Sequence, residues 1–147
     1  MALRDGILTR MASLLSLEGR ESRLGFWRLQ LAFSAATAAI WCAGIFAVVY
    51  LGPWAELSLV ILLPVFAMIL SVTVRRLHYR SKGLLWIVPL GFGPYLLLAF
   101  AEHLGRSLAA AFVLLAALGL WVWGWAEIGF MDGADGANRF GPDPRAA

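Results

Sequence analysis

"LSLVILLPVFAMILSVTVRRLHYRSKGLLWIVPLGFGPYLLLAFA", Leu57–Ala101, decides the fold. It holds two 18-residue runs without a charge, Leu57–Val74 and Leu84–Ala101. Arg75–Gly83 joins them and carries three arginines, a lysine and a histidine. As helices, the runs measure about 27 Å at about 1.5 Å per residue, close to the roughly 30 Å of a bilayer's hydrocarbon core. They read as two membrane spans, and the basic stretch as the connection that holds one side of the membrane.

Two further spans flank this pair. Phe26–Leu51 has no charge for 23 residues after Arg28, about 35 Å of helix, enough to cross with some tilt. Ser107–Ala126 adds 20 residues and ends in a tryptophan cluster. Composition agrees: hydrophobic residues make up 61% of the 147 and charged residues 14%. Soluble domains run nearer 45–50% and about 25%, and a soluble fold this small could not hide the excess. The expected fold is all-α, a polytopic membrane protein with a four-helix transmembrane bundle. Its spans fall at about 26–51, 57–74, 84–101 and 107–126 within a transmembrane domain 25–129, between a leading segment 1–24 and a tail 130–147. In the leader, Leu3, Ile7, Leu8, Met11, Leu14 and Leu15 recur at helical spacing. That reads as an N-terminal amphipathic helix lying in the membrane interface; a mitochondrial-type presequence is the weaker reading. A signal peptide fits the first run poorly, because an h-region is only about 7–15 residues.

Lysine and arginine set the orientation. With four spans, one side receives Arg4, Arg10, Arg20, Arg23 and Arg28, then Arg75, Arg76, Arg80 and Lys82, then Arg139 and Arg145. These are eleven of the twelve basic residues, and the other side has Arg106. The split predicts both termini inside, N-in and C-in. Phe26, Trp27, Tyr50, Trp54, Trp86, Trp123 and Trp125 fall at span ends, where amphipathic rings favour headgroup depth. Trp41, near mid-span, reads as a packing residue.

Small residues repeat along the first span (Ala32, Ala35, Ala36, Ala39, Ala43, Gly44) and the fourth (Ala109, Ala117, Gly124). Such faces let membrane helices approach closely; packing within the monomer is expected, with dimerisation as the alternative. Pro89, Gly91, Gly93 and Pro94 should kink or unwind the third span, and Pro64 invites the same reading in the second. Broken helices also line transporter sites.

Little in the chain suits catalysis. Glu56, Glu102 and Glu127 sit at span ends and no carboxylate lies within a span, so proton-coupled transport lacks its usual ionisable group at depth. Cys42 is the single cysteine, which excludes an intramolecular disulfide and a cysteine metal site. His78 and His103 fall on opposite sides and cannot share a metal. A Gly-rich phosphate loop, an HExxH pair and a Gly-x-Ser-x-Gly elbow are missing. No catalytic residue, cofactor or metal is expected. Nucleic acid is not an expected partner, since a basic connection pinned between two spans offers little reach.

Three segments on the basic side stand together: "EGRESRLGFWRLQL", "RRLHYRSKGLLW" and "GANRFGPDP". In that order, with four apolar spans, the chain resembles the domain-of-unknown-function 805 family of small bacterial inner-membrane proteins over about Glu18–Pro144. Gly19, Arg20, Ser22, Arg23, Phe26 and Trp27 fit the first element of the family pattern. Arg75, Arg76, Leu77 and His78 fit the second, and Gly136, Asn138, Gly141 and Pro144 the third, with Phe140 where tyrosine is usual. Tyr79 stands where the family usually has aspartate, and Lys82 where serine is common. The resemblance implies an architecture and a multi-pass place in the bacterial inner (cytoplasmic) membrane, but no activity. Any His–Asp pair that did chemistry elsewhere in the family is denied to this chain.

Ser22 is placed to N-cap the first span. Arg20, Arg23, Arg75 and Arg76 fall at inner-leaflet depth, where each basic residue gains about 1 kcal/mol from anionic lipid. The turn-rich tail is expected to fold back under the bundle, with Asn138 and Asp143 bonding the basic connection. The expected role is a non-enzymatic accessory or scaffold protein working through lipids, chiefly anionic ones, or through protein partners, a second copy or another membrane protein. Arg20, Ser22, Arg23, Arg75, Arg76, His78, Asn138 and Gly141 are its expected signature or headgroup contacts. The alternatives are a small transporter or channel subunit using the broken third helix with a path from Ser34 and Thr37, and a membrane enzyme acting on a lipid or phosphate substrate.

Overall fold

The computed structural model describes residues 13–52 and 60–144. Four helical segments among them are long and apolar enough to cross a membrane: Arg23–Leu51, Leu62–Tyr79, Leu84–His103 and Leu108–Phe130. The chain is a multi-pass membrane protein, all-α among the described residues. The first two segments are α1, Arg23–Leu51, and α2, Leu62–Tyr79. The third is composite: a 3₁₀ turn Leu84–Trp86, a π turn Val88–Phe92, then α3, Gly93–His103. The fourth is α4, Leu108–Trp125, closing in a second π turn, Ala126–Phe130. The expected interfacial helix falls mostly on residues 1–12, and the first connection on 53–59, outside the described residues; residues 13–15 are helical.

Local chemistry explains the helix ends. Ser22 is extended, and its Oγ accepts from the Gly25 N–H at 3.1 Å, so it caps α1 as expected. Ser107 caps α4 the same way, accepting from Ala110 N–H at 3.1 Å. At the end of α2, Lys82 N–H bonds Leu77 O at 2.9 Å and Ser81 N–H bonds His78 O at 3.0 Å. This is a Schellman closure, with Ser81 at φ +58°, a conformation usually left to glycine.

The apolar run of the second span ends at Val74, but its helix continues more than a turn further, to Tyr79. Charge ends a hydropathy run without ending a helix, since arginine and leucine are good helix formers. The true connection shrinks to four residues, Arg80–Gly83. In the third segment the expected break is a π turn. Pro94 has no N–H for the Leu90 carbonyl, and its ring crowds that carbonyl. The helix widens, and Gly93 N–H closes instead on Val88 O.

α1 packs along α2, and α3 along α4. Among the described residues, the two hairpins approach each other where turns 84–86 and 126–130 touch α1 and α2, with Trp27 of α1 against Trp125 at the end of α4. The core therefore sits at that end: Val74, Leu77, Ile87 and Leu90 are buried together, with Ile128 against them. Away from it, Ile45, Phe46, Val49, Leu63, Leu96, Leu115 and Leu118 point outward, a lipid-facing surface. Trp41 belongs to that surface, 47% exposed, rather than to the packing assigned to it from sequence. On α4 the buried small residues are Ala110, Ala117 and Gly124, seven apart, a register one residue from Ala109. Along α1 only Gly44 of the small set is buried, while Ala32, Ala35, Ala39 and Ala43 are exposed.

Candidate functional site

Arg76 lies in the last turn of α2 and is fully buried, at 0% exposure. A guanidinium without partners there would be costly. Its Nε donates to Ile128 O at 2.7 Å and its Nη2 to Met131 O at 2.5 Å. Helix C-termini leave carbonyls unpaired and carry the negative end of the macrodipole. The end of the fourth span thus supplies acceptors to two of the three guanidinium nitrogens, while Nη1 is buried with no hydrogen-bond partner among the described residues. Beside it, the Tyr79 ring lies 5.2 Å from the Arg76 guanidinium carbon and 5.0 Å from that of Arg20, two cation–π contacts on one ring.

Glu127, in the same π turn, is buried. Its Oε1 lies 2.9 Å from Arg80 and 3.1 Å from Lys82. Lys82 also sits 4.0 Å over the Trp86 ring. Arg80 Nη1 donates to the Asp132 carbonyl as well. Trp27 of α1 closes the other side by donating its Nε1–H to Gly129 O at 2.9 Å. A side chain on Gly129 would collide with that ring, 2.8 Å from where its Cβ would stand.

The leading segment straps across α2. Glu21 N–H bonds Arg75 O at 3.1 Å, and the two side chains pair at 3.8 Å. His78 Nδ1 donates to Gly19 O at 3.1 Å. Ser71 Oγ donates to Ser16 O.

The tail folds back over both. Ala134 N–H bonds Tyr79 O at 2.9 Å. Asn138 Nδ2 donates to His78 O at 2.9 Å and to Ser81 Oγ at 3.0 Å, while its Oδ1 accepts from Phe140 N–H at 2.9 Å. Asn138 and Gly141 exchange two backbone bonds, at 3.1 and 3.0 Å. This hairpin lays the Phe140 ring on the His78 imidazole, 3.9 Å apart and 3° from parallel. Arg20 then reaches three tail carbonyls: Gly136 at 2.5 Å, Ala134 at 2.7 Å and Gly141 at 3.2 Å.

Seven of the eight residues singled out from sequence therefore converge on one clasp: Arg20, Ser22, Arg75, Arg76, His78, Asn138 and Gly141. Arg23 lies at its exposed edge, 3.3 Å from Asp132. Most of them work inward. Arg76 has no surface to offer a headgroup, because its guanidinium is turned onto main-chain carbonyls. Asp143 accepts from Gly136 N–H at 3.2 Å within the tail. Ser34 and Thr37 are not among the described residues that line the cleft beside the broken segment: Ser34 is exposed, and Thr37 Oγ1 donates to Phe33 O one turn back. Sequence reasoning missed Glu127, Tyr79, Trp27 and Gly129 as members of the clasp. The available signal was the acidic residue closing the fourth span, opposite two cations that the second connection leaves unmatched.

The clasp is built from the three motif segments in the order in which they occur along the chain, and a family model for proteins of unknown function, DUF805, matches residues 14–142. The chain belongs to that family. No curated protein and no solved structure matches it. The matched range contains the clasp contacts described above apart from that of Asp143, and in this chain the motif residues lock leader, bundle and tail together. Tyr79 stands where the resemblance leads one to expect aspartate, and in this chain its ring lies against both Arg20 and Arg76.

Proposed function

We propose that this protein is a non-enzymatic accessory or scaffold protein of the bacterial inner membrane, with both termini cytoplasmic, that presents the folded clasp as a contact surface. The observation that carries the reading is how the motif residues are used. Arg76, Arg20, Asn138 and His78 bond backbone carbonyls of distant segments. Side chains used this way hold a surface in one shape; they are not held ready for a substrate. Among the described residues, the cations left outward on this end are Arg23, Arg28 and Arg139. Each contributes about 1 kcal/mol beside an anionic leaflet, which favours anionic lipid as the first partner, with a protein partner docking on the same face.

The test is native mass spectrometry of the protein released from bacterial membranes, with the double variant Arg28→Ala, Arg139→Ala alongside. The wild type should retain anionic phospholipid and the variant should lose most of it. Equal retention would defeat the lipid reading. A reporter fused to the C-terminus that becomes active outside the cell would overturn the orientation.

A further inference from the structure

A cleft of about 290 Å³ lies in the fork between the two hairpins, next to the clasp. Its walls carry five aromatic rings, Phe26 and Trp27 from α1, Tyr95 from α3, and Trp121 and Trp125 from α4. Among the described residues, no charged side chain lines it. Gln30 also faces it. This residue lies about 10 Å along α1 from Arg23, at about 1.5 Å per residue. Its Oε1 is buried and has no hydrogen-bond partner among the described residues. Buried polar atoms are almost always satisfied, and one that is not calls for an explanation.

We propose that this cleft binds a hydroxylated aromatic ring carried in the membrane, the head of a quinol, whose hydroxyl donates to Gln30 Oε1. The chemistry follows from the walls. A charged headgroup would meet no counter-charge there, so the ligand is neutral. Aromatic pairs favour centroid separations of about 4.5–7 Å with edge-on contact among the preferred geometries, and the wall already holds such pairs: Phe26 and Trp27 stand edge-on at 5.6 Å, while Trp27 and Trp125 are tilted at 5.7 Å and Trp121 and Trp125 at 5.6 Å. Trp27 is held in place by its bond to Gly129 O. The volume is near the lower end of small-molecule pockets, roughly 300–1,000 Å³, enough for a ring but not for a ring with its tail. The tail has an exit, because among the described residues no close backbone approach joins the hairpins beyond the fork. An acceptor without a donor selects a hydroxyl. A quinone offers only acceptors. The proposal concerns binding, includes no redox step, and holds whichever leaflet the clasp faces.

The test uses the full chain in lipid nanodiscs under reducing conditions, titrated with decylubiquinol, with its dimethyl ether, and with dioleoylglycerol. Thermal unfolding and calorimetric titration are the readouts. Decylubiquinol should raise the unfolding midpoint and bind about tenfold tighter than the ether, which cannot donate. Gln30→Leu keeps the volume and removes the orphaned carbonyl. It should unfold at or above the wild-type temperature without ligand, and lose the quinol-induced rise. Thr37→Val, on the same helix away from the cleft, should keep that rise. No rise in the wild type, an equal rise with the ether, an equal rise in Gln30→Leu, or an equal rise with dioleoylglycerol would each overturn the proposal.

Discussion

Arg76 is the residue on which most of the clasp depends. Replacing it with alanine leaves two buried carbonyls without donors and removes a cation that Tyr79 faces. Leaving a buried acceptor without its donor costs about 1–3 kcal/mol, and a loss of that order is expected for Arg76→Ala in thermal unfolding in detergent. Arg76→Lys should recover only part of it, because an ammonium cannot reproduce the fork that meets Ile128 O and Met131 O together. Tyr79 permits a second comparison. Cation–π contacts contribute about 0.5–2 kcal/mol each, more when desolvated. Tyr79→Leu should therefore unfold below Tyr79→Phe, which keeps the ring between Arg20 and Arg76; equal midpoints would remove the cation–π account. Glu127→Gln leaves Arg80 and Lys82 without their shared carboxylate and should cost about 3 kcal/mol in the same measurement.

At the scale of elements, the informative pair is Gly124 and Gly119, both on α4. A Cβ at Gly124 would stand 2.5 Å from Leu90 O, a backbone atom that cannot swing away, whereas one at Gly119 meets nothing within 4 Å. Gly124→Ala should force α4 off the π turn and cost about 1–3 kcal/mol, as overpacking does. Gly119→Ala should be neutral or stabilising, by up to about 1 kcal/mol of helix propensity. Unfolding midpoints of the two variants check this, and equal effects would contradict the packing described. The contrast also marks how far patterns reach. The small-residue repeat on the fourth span was legible, and Ala117 and Gly124 are buried, but that Ala110 rather than Ala109 completes the buried face was not. Ala109 and Ala110 are equally small, and only the direction from which α3 approaches selects the Ala110–Ala117–Gly124 face. The Pro94 break was legible because proline lacks an N–H. That the freed carbonyl meets a glycine on the next helix was not.

At the scale of the whole molecule, the tail is held by a few polar residues, and Asn138 makes the densest set of bonds. Asn138→Ala loses contacts to His78 O, Ser81 Oγ and Phe140 N–H, and Asn138→Asp keeps only the acceptor. Both should release the tail while leaving the four spans folded, read as faster cleavage after Arg139 in limited proteolysis with unchanged helical circular dichroism. Unaltered cleavage would mean that the remaining contacts, those of Arg20 and the Ala134–Tyr79 bond among them, retain the tail without Asn138.

The amino-acid sequence by itself determined the four spans, the shared end of leader, second connection and tail, the caps at Ser22 and the break at Pro94. Each of these depends on properties carried by one residue or one short run: hydropathy over a bilayer's thickness, charge, a hydroxyl at a helix start, a missing amide hydrogen. Tertiary structure alone decided what the charges do. Read along the chain, Arg20, Arg75 and Arg76 are basic residues beside a membrane, and lipid is their natural partner. In three dimensions the end of the fourth span and the folded-back tail bring unpaired carbonyls within reach, and a desolvated guanidinium bonds what is nearest. Those acceptors are backbone atoms more than 50 residues away from Arg76 and more than 110 from Arg20, and every residue carries such a carbonyl, so nothing in their side chains announces them.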